Sequence, residues 1–113
     1  MSSNLAIQIW PEPLRSIAAS SISPVYMGIG TATLNPTKIY WIQNNTDVPL
    51  TFSWDGINDH FVVVDDGFLL LDITANKSST GGMAAVPAGT RTYVKGLPTT
   101  GSVDLTVFYG KNG

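Results

Sequence analysis

A chain of 113 residues is the length of one domain, and with no cysteine it can form neither disulfides nor thiolate metal sites. Only 12% of its residues are charged, where an average soluble protein carries about 25%. The net charge is −2 and its basic residues (Arg15, Lys38, Lys77, Arg91, Lys95 and Lys111) are scattered, which excludes the clustered basic face that nucleic-acid binding needs. Either Ser, Thr, Asn and backbone solvate the surface, or a partner covers part of it, since interface cores are depleted in charge in this way.

The start, "MSSNLAIQIWPEP", lacks the basic opening and continuous apolar core of a secretion signal. "LAIQIW" places Leu5, Ile7 and Ile9 on one face of a strand. "PLRSIAASSIS" (13–23) is the one helical candidate, and its serines and bounding prolines limit it to a turn. The uncharged run 16–37 contains Pro24, Asn35 and Pro36, so it does not read as a membrane span. Residues 1–35 form an extended N-terminal segment broken by Pro11, Pro13 and Pro24. It carries Trp10, Leu14, Ile17, Ile22, Tyr26 and Met27, more apolar groups than it can bury on itself. It either wraps the remainder or reaches a neighbouring subunit as an arm.

From residue 36 to 113 the period is two. "KIYWIQN" is a strand apolar enough for both faces to be covered. "PLTFSW" alternates Leu50, Phe52 and Trp54 with Thr51 and Ser53. "HFVVVD", "FLLLDI" and "TRTYVK" follow, and "VDLTVFY" puts Val103, Leu105, Val107 and Tyr109 on one face. Turn chemistry separates them at Asp55-Gly56, Asp65-Asp66-Gly67 (a hairpin turn), Pro87-Ala88-Gly89 and "GLPTTG", with a longer polar loop at "TANKSSTGG". Eight or nine short strands predict an all-β fold: a single antiparallel β-sandwich, jelly-roll-like, behind an extended N-terminal segment.

The stretch "DGINDHFVVVDDG" (55–67) concentrates acidic groups around His60, the chain's single histidine. Gly56 directly after Asp55 breaks the EF-hand spacing, so Asp55, Asn58 and Asp59 read as turn residues bonding nearby amides. One histidine is too few for a zinc site within the chain. It would also have to serve every Ser/His constellation, and Ser53 has no nucleophile-elbow context. "GIG" (28–30) lacks the further glycine and the helix of a phosphate loop. Trp41 and Trp54 sit in strong strand patterns and are expected in the core. No catalytic, cofactor or metal site is predicted.

The series "LRSIAASSIS", "QNNTDVPLTFSWDGINDHF", "LDITANK", "PAGTRTYVK" and "PTTGSVDLTVFYG", from about Leu14 to Gly110, resembles small β-rich structural proteins of tailed bacteriophages. The nearest type is the jelly-roll-like cement or decoration protein of icosahedral heads. The resemblance implies a non-enzymatic virion protein on the outer capsid surface, made in the host cytoplasm. Its partners would be the major capsid protein and sister copies, as a homodimer or trimer. In that role the expected anchors are Trp10, Leu14, Ile17, Tyr26 and Met27, with Arg15 as a charged clamp, or strand addition by "LAIQIW". Residues 1–13 should then be removable without unfolding the sandwich. The competing classes are a tail, collar or fibre-attachment component and a carbohydrate-binding β-sandwich module.

Overall fold

A computed structural model describes residues 7–74 and 85–112. It is all-β, with two antiparallel sheets packed face to face as a β-sandwich. In chain order the strands are β1 (Ile7–Pro11), β2 (Arg15–Ala18), β3 (Met27–Gly28), β4 (Thr37–Thr46), β5 (Leu50–Ser53), β6 (Phe61–Val63), β7 (Phe68–Asp72), β8 (Tyr93–Lys95) and β9 (Gly101–Asn112). Among the described residues a single 3-10 turn, Ala19–Ser21, is the helical candidate reduced to its minimum.

The first sheet runs β1-β9-β4-β7, with β2 also on β9; the second runs β3-β8-β5-β6. The long β9 is the spine of the first sheet. Its residues Ser102–Leu105 pair with β2 and Phe108–Asn112 with β1, while its other side pairs with β4 from Gly101 to Tyr109. At the start of β9, Gly101 has φ of 93°, and a Cβ there would land on the Asn45 carbonyl oxygen, so only glycine fits this entry.

Strand alternation decides the core. Tyr40 and Ile42 of β4 and Val103, Leu105 and Val107 of β9 face inward, where they meet Leu50, Phe52, Val63 and Val94 of the second sheet. Phe52 stacks on Phe61 with ring centroids 5.2 Å apart, and Trp54 meets Tyr40 edge-on at 5.3 Å. The polar tips of these rings are satisfied: Trp54 Nε1 donates to the Tyr40 hydroxyl at 2.9 Å, which also bonds Thr92 Oγ1 at 2.5 Å. Burial pushes the Tyr40 hydroxyl pKa up to about 12. Asn44, fully buried, bridges the sheets by donating to the carbonyls of Val48 (2.9 Å) and Val63 (3.0 Å).

The described part of the N-terminal segment takes the wrapping form. β1 and β2 edge the first sheet, β3 edges the second, and Ile22 and Ile29 belong to the core. No boundary at residue 35 separates it from the sandwich. Two further expectations change. Asp65-Asp66-Gly67 carries the chain from the second sheet to the first, from β6 to β7, so it is a crossing turn and no hairpin; Gly67 N–H donates to the Val64 carbonyl at 3.0 Å. Trp41 lies on the outer face of the first sheet, because it alternates with the inward Tyr40 and Ile42. Leu5 and nearly all of the "TANKSSTGG" loop fall outside the described residues.

Candidate interaction surfaces

The acidic loop between β5 and β6 is held by its own backbone. Asp55 Oδ1 accepts the amides of Ile57 and Asn58, each at 2.8 Å, and Asp55 Oδ2 accepts Asn58 Nδ2 at 2.7 Å. Ser53 Oγ accepts the amides of Asp55 and Gly56, and His60 Nδ1 accepts the Trp54 amide at 2.9 Å. The Asn58 and Ile57 amides hold the Asp55 carboxyl well below the usual carboxylate range. Asp59 receives the Tyr26 hydroxyl at 2.5 Å and Lys95 Nζ at 2.9 Å. The amide bonds fall to Asp55, three and four residues before the Asn58 and Asp59 expected to make them. Among the described residues no three His, Asp or Glu side chains converge as a metal ion would require.

The six sequence-predicted anchors divide into two groups. Trp10, Leu14 and Met27 are exposed. Trp10 rides on the β1–β9 ribbon, beneath Lys111 Nζ at 5.4 Å, with its Nε1 donating to Gln8 Oε1. The other three are engaged within the chain. Ile17 is half-buried against the core. Tyr26 is tied to Asp59 and stacked by Lys95 Nζ at 4.6 Å from its ring. Arg15, expected as a clamp for a partner, is buried and clamps its own chain. Its guanidinium pairs with Glu12 Oε1 at 2.8 Å and donates to the carbonyls of Thr31 (2.7 Å) and Ala32 (3.1 Å).

Glu12 answers from the other side, accepting the amides of Leu34 and Asn35 and the Asn35 side chain. Burial alone would raise the Glu12 carboxyl pKa; the bonds from Arg15, Asn35 and the two amides outweigh it and hold the pKa below its ordinary value. Gly30, at φ 62°, leaves the space the Arg15 stem fills, since a Cβ there would sit 2.8 Å from Arg15 Cγ. No spacing rule in the sequence reveals this network, because residues 12–15 and 31–35 meet only through the fold.

Opposite this edge lies a surface the sequence did mark, by its lack of alternation. On the outer face of the first sheet Trp41 stands directly across from Leu70, with Ile39 across from Phe108 and Gln43 across from Phe68. Phe68 is 63% exposed and Leu70 47%. Trp41 Nε1 is buried without a hydrogen-bond partner among the described residues, an uncommon state for an indole N–H. Behind β7, an apolar cleft of about 380 Å³ lined by Trp54, His60, Phe61, Leu69 and Leu71 opens between the two sheets. Its walls are aliphatic and aromatic, with His60 as the one titratable group, which suits apolar contact and gives no handle for chemistry on a polar substrate.

No family model matches the chain, and searches of curated proteins and of solved structures returned no match.

Proposed function

We propose that this chain is a non-enzymatic structural protein of a tailed-phage virion, a cement or decoration protein that binds the outer surface of the icosahedral head. The observation that carries the reading is the apolar outer face of the first sheet. Phe68 and Leu70 project into solvent beside Trp41, whose indole N–H has no partner among the described residues. A free monomer has no use for a contiguous patch of this kind, and such patches mark protein contacts. The charge deficit supports the same reading, and so does the engagement of the acidic loop in its own turn.

The wiring supports the finer assignment to a jelly roll. From β2 to β9 the strands alternate between sheets except at the β5–β6 hairpin, giving four-strand orders β2-β9-β4-β7 and β3-β8-β5-β6. That is the double-sheet plan shared by capsid and lectin domains. Between those two uses, the cement role is favoured because the exposed rings sit on an apolar sheet face. Trp10, the ring a sugar would reach most readily, is already covered on one side by Lys111.

The test is the copy number of this chain in purified particles, by quantitative mass spectrometry against the major shell protein. A ratio near one, or a fixed simple fraction of it, is expected. A handful of copies per particle would move the chain to the tail or collar, and absence would overturn the reading.

A further inference from the structure

The four edges of the sandwich are not equally defended. Open strand edges invite pairing with another chain, and proteins blunt them with prolines, kinks, charges or short strands. In the first sheet, the β1/β2 edge is interrupted by Glu12-Pro13-Leu14 and fixed by the buried Glu12–Arg15 pair. In the second sheet, the edge strands β3 and β6 are two and three residues long. The remaining edge is β7: five residues, "FLLLD", with no proline and with Asp72 as its one charged residue, at the very end.

The phase of the β4–β7 ladder fixes what this edge presents. Asn44 N–H donates to the Gly67 carbonyl and Ile73 N–H to the Lys38 carbonyl, each at 2.9 Å. In an antiparallel ladder, bonded pairs alternate with unbonded ones. Residues 67, 69, 71 and 73 therefore turn their peptide groups toward β4. Phe68, Leu70 and Asp72 turn their N–H and C=O groups outward, where none has a backbone partner among the described residues.

We infer that β7 is a homodimerisation strand, pairing antiparallel with β7 of a second copy about a two-fold axis through Leu70. The occupant follows from self-complementarity. In this register Leu70 faces Leu70 of the second copy, and Phe68 and Asp72 face each other's counterparts, so every outward peptide group is matched by about six backbone bonds. The two Asp72 carboxylates then lie at opposite ends of the pairing, four residues apart, or about 13 Å. Each carboxylate already accepts its own Thr74 amide and hydroxyl.

Both sheet faces gain from the same register. On the outer face, the row Trp41–Leu70 continues into its symmetry mate, so that the two apolar patches join into one. On the inner side, Leu69 and Leu71 of the second copy come to the mouth of the cleft lined by Trp54, Phe61, Leu69 and Leu71. One isologous contact thus closes the open edge and the mouth of the cleft, and unites the two patches on one face.

The isolated chain suffices for the test, so it succeeds or fails independently of the virion reading. Sedimentation of the wild type at about 100 µM should give a dimer, well above the micromolar dissociation constants ordinary for specific contacts. Leu70→Lys places like charges face to face at the axis, and Leu70→Pro removes only an outward N–H while leaving the β4 ladder its bonds. Both should weaken dimerisation at least tenfold with unchanged circular dichroism.

Because the chain has no native cysteine, Leu70→Cys supplies a unique thiol. The two-fold would bring its Cα within about 5.5 Å of its mate, inside disulfide range. Oxidation should give a covalent dimer, while Val25→Cys, exposed on the far side of the fold, should not. A wild type that stays monomeric, a dimer that survives Leu70→Lys, or a dimer that Leu70→Cys fails to cross-link would each overturn the inference.

Discussion

The two edges of the first sheet are built from similar amounts of apolar sequence and end in opposite conditions. At the β1/β2 edge, "WPEPLR" breaks the strand, turns Glu12 and Arg15 inward and pairs them with each other and with the 31–35 loop. At the β7 edge, "FLLLD" runs straight, with its outer residues in solvent and the outward peptide groups of Phe68, Leu70 and Asp72 unmatched among the described residues. The first edge is completed by its own chain. The second is left open among the described residues. Burial, more than composition, tells the two apart: the residue with the formal charge of a partner clamp, Arg15, is the one that is unavailable.

That contrast is most sharply tested at Arg15. Replacing it with Ala would strand the Glu12 carboxylate in a buried site and release the carbonyls of Thr31 and Ala32. Breaking one side of a buried ion pair costs about 3–5 kcal/mol. Chemical denaturation of Arg15→Ala should show a loss of this size with an unchanged slope. A loss below about 1 kcal/mol, the worth of an exposed pair, would mean that the N-terminal edge is as open as the other. Trimming residues 1–13, harmless on the sequence reading, should be costly for the same reason, because it removes Glu12 and leaves the guanidinium buried without its counter-charge.

Much of the architecture was legible in the sequence, and the exceptions share a cause. The period of two in Val103, Leu105 and Val107, with Leu50 and Phe52 facing them, gives the inner layer directly. "KIYWIQN" likewise announced two apolar faces. Its Trp41 belongs to the outer face, and a strand pattern cannot say which of two apolar faces meets the second sheet. "DGINDH" was legible as turn chemistry because the bonds of Asp55 run to residues two and three along the chain. The Glu12–Arg15 network was illegible because its partners, Thr31 to Asn35, approach only after β2 and β3 have been placed in different sheets. The β7 edge was illegible in a different way: which strand ends a sheet is a property of topology, and "FLLLD" at the centre of a sheet would have been an ordinary core strand.

Acid should separate the closed regions from the open one more gently. Glu12 and Asp47 both have folded pKa values below their usual ones: Glu12 because its bonds outweigh burial, and Asp47, at about 2, through the Thr99 hydroxyl and the amides of Thr99 and Thr100. A depressed carboxylate stabilises the fold above its unfolded pKa, near 4, and loses that contribution as pH falls through the folded value. The melting temperature should therefore hold above about pH 5 and decline from about pH 4 toward pH 2. Glu12→Gln should melt lower at neutral pH and show a shallower decline, and Asp47→Asn should also flatten the slope. An acid decline that is unchanged in Glu12→Gln would show that the N-terminal edge owes nothing to its charge.

The smallest effect should come from Phe68, and its smallness is the point. The ring is large, and deleting a core phenylalanine typically costs about 3–5 kcal/mol. Here it is mostly in solvent on the outer face, and threonine preserves the β preference. Measured in dilute solution, where the chain is monomeric, Phe68→Thr should change unfolding free energy by no more than about 0.5 kcal/mol, the range of surface substitutions. A cost above about 2 kcal/mol would mean that this side chain packs within its own fold, and the β7 edge would then be as finished as the other. A near-zero cost, with weaker self-association at high concentration, would place the value of Phe68 outside the monomer, in the contact that the first sheet leaves open.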